Sequence, residues 1–204
     1  MSIFEPNWKG IREAVNAIKR GNIVAYPTET FYGLGADPCN EEAIDRLYRL
    51  KGWEEKRPVS VLINHLDELT PLVKEIPPIA KLLMHTFWPG PLTLVFKINP
   101  SFPSFISGGT EKIGVRISSN EIANKLLEEL DGPLTTTSAN LTGGKEAFRV
   151  EEVEEFFGRD GSILLQGGEL KGIKGSTIID IAGDKIEVIR EGDLPLNEIN
   201  TICH

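Results

Sequence analysis

Residues 27 to 37, PTETFYGLGAD, hold the densest set of ligand-competent groups in the chain. Thr28, Thr30 and Tyr32 offer hydroxyls, Glu29 offers a carboxylate, and Gly33 and Gly35 let a backbone come close to a ligand. A polar loop whose glycines serve turn geometry alone is the plainer reading of such a run, because an isolated Gly-x-Gly carries little information. Two other chemistries find no support in the spacing. His65, His85 and His204 have no companion cysteines or carboxylates at metal-binding intervals, which speaks against a metal held by protein ligands. The run TGGK at 142 to 145 lacks the remaining residues of a phosphate-binding P-loop and reads as a turn.

The elements around this run are readable from periodicity. Ile11, Ala14, Val15 and Ile18 recur at helical spacing, Gly21 after Lys19 and Arg20 is a stop signal, and NIVAYP follows as a short buried strand. A second helix carries Ala43, Leu47 and Leu50, with Asn40 as its N-cap and Gly52 at its close, so a strand, a loop and a helix fill residues 22 to 51. VSVLI (59–63), LTLVFKI (92–98), IGVRIS (113–118) and PLTTTSA read as strands. Residues 78–87, 121–130 and 150–157 read as helices, the last an acidic one with Val150, Val153, Phe156 and Phe157 toward the core. SILLQ, STIIDI and KIEVIR read as three closing strands. Because these follow one another without helices, the pattern predicts a mixed sheet, and with no repeat or linker the whole of 1–204 reads as one α/β domain.

A chain of 204 residues can bury a large core without disulfides or a structural metal. Its net charge of −8 excludes a surface that binds nucleic acid throughout, so any phosphate site must be local. Cys39 and Cys203 form neither a metal-ligand spacing nor a disulfide framework, which fits a reducing, cytosolic compartment. The opening MSIFEPNWKGIREAV lacks the basic start and apolar run of a targeting signal, and no apolar stretch is long enough to span a bilayer. A soluble, unprocessed cytoplasmic protein with no membrane partner is therefore expected.

PTETFYGLG resembles the Pro-Thr-Asp/Glu-Thr-x-Tyr-Gly-Leu-Gly signature of the YrdC-like family, and the resemblance continues in order along most of the chain. It takes in Lys51 at the end of the second helix, FWPGPLTLV (87–95), VRIS with Arg116, Ser138-Ala139-Asn140 followed by Gly143, STIID with Ser176, and IREG with Arg190. Several separate motifs in one order are far harder to obtain by chance than any one alone. The resemblance implies a twisted, mostly open mixed α/β sheet with flanking helices and a concave ligand-binding face. It also implies a threonylcarbamoyl-AMP synthase, an ATP-dependent nucleotidyltransferase acting in tRNA t6A modification. In that chemistry the L-threonine amine takes up CO2 from bicarbonate as a carbamate, which attacks the α-phosphate of ATP and releases pyrophosphate. The substrate carbamate is the nucleophile, so no catalytic side chain is implied. What the reaction needs is positive charge and hydrogen-bond donors around a triphosphate that arrives with Mg2+. The product would pass to the tRNA threonylcarbamoyl transferase machinery.

Carried over position by position, the resemblance assigns L-threonine binding to Thr30, Arg116, Ser138 and Ser176, with Arg116 pairing the substrate carboxylate through its planar guanidinium. Lys51, Asn140 and Arg190 fall at positions of ATP or phosphate contacts. Taken singly, each has a plainer reading: Arg116 as a solvated edge charge, Ser138 and Asn140 as a turn, Lys51 and Arg190 as surface charges. Only their joint order favours a site.

The chain departs from the family pattern in three places. The family reads Lys-x-Arg-Pro after the second helix, whereas here Lys51-Gly52-Trp53-Glu54 lacks the arginine. Arg57, four residues beyond Trp53, stands where the family often has asparagine or lysine at the nucleotide and could return the charge if the loop bends; it joins the ATP-binding set. Trp53 could stack on a base, although a tryptophan beside a helix end more often packs. A family histidine in the next strand corresponds to Leu62, with His65 three residues on, and GGKEAF puts Lys145 and Phe148 where small hydroxyl residues are usual. These departures resemble YciO-like paralogues and keep open a second reading, a cavity that holds a nucleotide or a local stretch of RNA without turnover.

Overall fold

Helix boundaries in the computed structural model, which describes residues 1–158, 162–183 and 185–203, fall where capping residues put them. Asn7 accepts from the Gly10 N–H and starts α1, Trp8–Lys19. Asn40 accepts from Ala43 N–H at the start of α2, Glu41–Lys51, and Gly52 ends it in the left-handed region at φ 65°. Asn120 accepts from Ile122 and Ala123 at the start of α4, Glu121–Leu130. The others are α3, Pro78–Phe87, α5, Val150–Phe157, and α6, Leu196–Cys203. Two short 3-10 turns cover Leu66–Leu69 and Ser104–Ser107. His204 lies outside the described residues.

Among the described residues ten strands form one open mixed sheet. They are β1 Ser2–Phe4, β2 Val24–Tyr26, β3 Gly33–Gly35, β4 Ser60–Leu62, β5 Leu92–Lys97, β6 Lys112–Arg116, β7 Leu134–Ser138, β8 Ile163–Leu165, β9 Thr177–Asp180 and β10 Glu187–Arg190. Their order across the sheet is β1-β8-β2-β3-β7-β4-β6-β5-β9-β10. Pairs β1/β8, β2/β8, β4/β6 and β5/β9 are parallel; the other five are antiparallel.

Side chains alternate between the faces, and each face has its own core. Val61, Val115, Leu94 and Ile179 point toward α2, α3, α5 and α6, joining Leu47, Leu83, Val153 and Ile199. Val24, Tyr26, Leu62 and Leu134 point the other way, against Ile18 of α1 and Leu126 of α4. Truncating a fully buried leucine such as Leu47 or Leu62 to alanine costs about 2–5 kcal/mol in such cores. The α1 and α4 pair covers only part of its face. The rest, over β7, β4, β6, β5, β9 and β10, is the floor of a cavity.

Three elements, β3, β1 and α6, differ from the sequence expectation, while the mixed sheet is as expected. Residues 33–35 are a strand, antiparallel to β2, so the loop of the 27–37 run shrinks to 27–32. The glycine at 35 serves packing: a Cβ there would lie 2.8 Å from both Tyr26 Cε1 and Leu134 Cδ2, so Gly35 makes room for buried side chains rather than for a ligand. The terminal segments add β1 and α6. In the sheet β8 joins β1 and β2 at one end, while β9 and β10 form the other.

Candidate functional site

A cavity of about 350 Å³ opens on the uncovered half of the sheet face. Its floor follows from register. Ser60 of β4 pairs with Thr136 of β7, and Leu62 pairs with Arg116 of β6, so Ser60, Thr136 and Arg116 point the same way. On the far side Ile178 of β9 pairs with both Thr93 of β5 and Arg190 of β10, continuing that face to the sheet edge. Phe31, Trp53, Arg57, Ser138 and Ser176 complete much of the wall, which among the described residues holds three arginines and several hydroxyls but no carboxylate. Such a lining suits an anionic ligand that also offers hydroxyl or carbonyl groups.

Arg116 is 4% exposed, in a strand flanked by β4 and β5, which rules out a solvated edge charge. Its Nη1 lies 3.6 Å from Glu29 Oε1, and the other Glu29 oxygen accepts a hydrogen bond from the Ser118 hydroxyl. Arg116 Nε and Glu29 Oε1 have no hydrogen-bond partner among the described residues. The guanidinium is thus held by a carboxylate from behind while part of its donor set faces the cavity.

Arg190 donates through Nε and Nη2 to Ser176 O at 3.1 and 2.8 Å, and through Nη2 to Ser176 Oγ at 3.2 Å. Burial of this guanidinium lowers its pKa from the usual arginine value, helped by the like charge of Arg116. Ser176 Oγ also accepts from Thr93 Oγ1 at 2.9 Å. At the opposite wall Ser138 Oγ donates to Asn140 Oδ1 at 2.5 Å, and Asn140 Nδ2 donates to Gly144 O at 2.7 Å, closing the turn after β7.

Of the residues singled out in sequence, Arg57, Arg116, Ser138, Ser176 and Arg190 meet in this cavity. Thr30, Lys51 and Asn140 are not in its lining. Thr30 is buried, its hydroxyl 2.9 Å from that of Thr28 in a loop that folds on itself. Lys51 is neither a surface charge nor a free cation. All three of its protons are taken, by Ser138 O at 2.7 Å, Asn140 O at 2.6 Å and Asn140 Oδ1 at 3.0 Å. Burial brings its pKa from 10.5 down to about 8, with Glu146 pulling it back up. Leu62 is in the core, while His65 and His85 are exposed away from the cavity. Among the described residues no group of three or more potential metal ligands stands together.

Sequence reasoning left Ser60, Thr93 and Thr136 unassigned and gave Glu29 no partner. Alternation within each strand was the available signal, but it needs the pairing register to say which face is open. Trp53 is half-buried, packed at 5.5 Å against Tyr48, and still reaches the cavity wall.

The comparisons agree with this architecture. The family model for Sua5, YciO and YrdC proteins, described as "Telomere recombination", matches residues 16–192. A threonylcarbamoyl-AMP synthase of Pyrococcus abyssi is 40% identical over 196 residues, which is 96% of this chain and 57% of that protein. The crystal structure of P. abyssi Sua5 complexed with L-threonine superposes with a TM-score of 0.93 at 37% identity, over 98% of this chain and 60% of that one. The structure of E. coli YciO gives a TM-score of 0.86 at 29% identity, over 95% of this chain and 97% of that one. The chain thus spans less than two thirds of the Pyrococcus proteins but nearly all of YciO. With the family model covering most of its length, the chain belongs to the Sua5/YciO/YrdC family.

Proposed function

We propose that the chain condenses L-threonine, bicarbonate and ATP into threonylcarbamoyl-AMP and pyrophosphate. The observation that carries this reading is the cavity wall, in which Arg57, Arg116 and Arg190 converge with hydroxyls and without a carboxylate, on the scaffold of a relative described as binding L-threonine. The deprotonated threonine amine attacks the bicarbonate carbon, an N–C bond forms and water leaves. A carbamate oxygen then attacks the α-phosphorus, and the bond from that phosphorus to the bridging oxygen breaks as pyrophosphate departs with the electron pair.

Arg116, pinned by Glu29, pairs the threonine carboxylate. Ser176, hydrogen-bonded to Thr93, and Ser138 meet the polar groups of the same substrate. Arg190 and Arg57 meet phosphate oxygens, where fixed positive charge stabilises the charge that develops on the leaving group. Thr30, Lys51 and Asn140 serve this site from behind its wall, holding the 27–32 loop and the turn after β7. Magnesium enters with the triphosphate as part of the substrate. The donor set fits that, since a water-keeping cation bound through phosphate oxygens needs no protein cage. The mixed anhydride formed would be handed to the tRNA threonylcarbamoyl transferase machinery in the cytoplasm. Among the described residues no helix is long and apolar enough to cross a membrane.

A second reading is favoured by Trp53 at the place of the signature arginine: a paralogue that holds a nucleotide or RNA here without turnover. Pyrophosphate release separates the two. Release that requires both threonine and bicarbonate supports the synthase; release that is absent or indifferent to threonine removes it. RNA binding that falls steeply with added salt would then support the second reading.

A further inference from the structure

We propose that Trp53, standing where the family has its signature arginine, positions Arg57 for the outer phosphates of the nucleotide. The assignment rests on the synthase reading for the identity of the ligand, but the geometry behind it is independent of turnover. The three arginines of the cavity differ in how far their donors are already used. Arg116 is paired with Glu29 and Arg190 is bonded to Ser176. Arg57 makes no side-chain hydrogen bond or ion pair among the described residues, and its side chain is exposed within the cavity wall.

Its backbone, in contrast, is fixed. Tyr48 Oη donates to Arg57 O at 2.7 Å. Gly108, at φ 59°, packs so closely that a Cβ there would lie 2.5 Å from the Arg57 carbonyl carbon. A main chain held at two points with a free cationic side chain directed at an anion-accepting cavity is the arrangement of a ligand contact, not of a solvated surface charge.

The guanidinium is also steered. Its central carbon lies 5.8 Å from the Trp53 ring centroid, and the Lys51 ammonium lies 5.7 Å from the same ring. Trp53 is itself held at its backbone, where the main-chain N–H donates to Tyr48 O at 2.9 Å, and at its ring by contact with the Tyr48 ring. An indole attracts a guanidinium through its π-face and takes none of its N–H protons. Trp53 can therefore restrain Arg57 without competing with a phosphate for its five in-plane donors, which a carboxylate partner would do. The tryptophan that replaces the signature arginine thus belongs to a two-residue device in which the charge comes from Arg57.

The test measures KM for ATP and for threonine in pyrophosphate release, and calorimetric binding of inorganic tripolyphosphate, in four variants whose folding is checked by thermal melting. Arg57→Ala should raise the ATP KM and weaken tripolyphosphate roughly ten- to a hundredfold while leaving the threonine KM unchanged. Trp53→Ala should give a smaller loss of about three- to tenfold, Trp53→Phe should restore most of it, and Arg57→Ala/Trp53→Ala should be no worse than Arg57→Ala alone. Arg57→Ala effects within about twofold of the parent would overturn the assignment of Arg57, and losses that multiply in the double variant would mean Trp53 contacts the ligand by itself. If Trp53→Ala does not fold, the comparison of Trp53→Phe with the parent still decides, since retained affinity supports the π-face role and lost affinity opposes it. Should the parent protein show no threonine-dependent turnover, the synthase reading falls, and tripolyphosphate binding alone decides the role of Arg57.

Discussion

Lys51 is a buried ammonium, 3% exposed, whose pKa the protein lowers from 10.5 to about 8 while spending its three protons on Ser138 and Asn140. The perturbation that exposes this balance is pH. Between about 8 and 10.5 an unfolded lysine keeps its proton and the folded one has released it, so the unfolded state binds more protons and this group makes stability rise with pH. At neutral pH the penalty is on the order of 3 kcal/mol, and the part recovered between pH 7 and pH 9 is on the order of 1 kcal/mol. Burial also raises the tyrosine hydroxyls and the Cys39 thiol above their usual values, so the quantity to read is a difference. Urea unfolding of the parent and of Lys51→Met at both pH values isolates Lys51, and the parent should gain the stated amount relative to the variant.

Activity should move the opposite way. A neutral amine offers two protons to three acceptors, which frees one carbonyl of the turn that carries Ser138 and Asn140. Turnover should therefore fall along a limb centred near pH 8, and Lys51→Met should lack that limb. A stability difference that stays flat between pH 7 and pH 9 would refute the reasoning, because it would mean that three carbonyl oxygens hold the proton as firmly as water does.

Arg116→Lys keeps a cation beside Glu29 but loses the planar donor pair, so it should fold normally and raise the threonine KM by roughly tenfold or more in steady-state assays. Arg116→Ala should in addition lower unfolding stability by about 3 kcal/mol, since it leaves the mostly buried Glu29 carboxylate with only Ser118; the double variant Arg116→Ala/Glu29→Gln should recover part of that in the same denaturation experiment. Gly35→Ala should cost about 1–3 kcal/mol in thermal or urea unfolding, because its new methyl meets the Tyr26 ring and Leu134 inside a closed hairpin.

Much of this architecture was legible in the sequence where the local signal is long enough to repeat. Helices with an asparagine cap and two or more apolar turns, such as α2 and α4, stand as read. Elements of three residues do not carry a period, so β1 has no sequence signal, and Gly33-Leu34-Gly35 looks like a loop because glycine is poor strand material except where, as at Gly35 beside Tyr26 and Leu134, close packing leaves no room for a Cβ. In α6 the recurrence of Leu196, Ile199 and Ile202 was the missed sign. The site follows the same logic at a larger scale. Motif order pointed to Arg116, Ser138, Ser176 and Arg190, but Ser60, Thr93 and Thr136 belong with them only through strand pairing, which no single segment encodes. Nor does a segment say where Lys51 will find carbonyls. Register is therefore what makes the cavity: a slip of β6 by one residue would carry Arg116 into the apolar layer of α2 and α3 and turn Val115 toward the ligand. The dense apolar packing of Val61, Val115, Leu94 and Ile179 on the opposite face opposes that slip, so the core on one side of the sheet keeps the guanidinium aimed on the other.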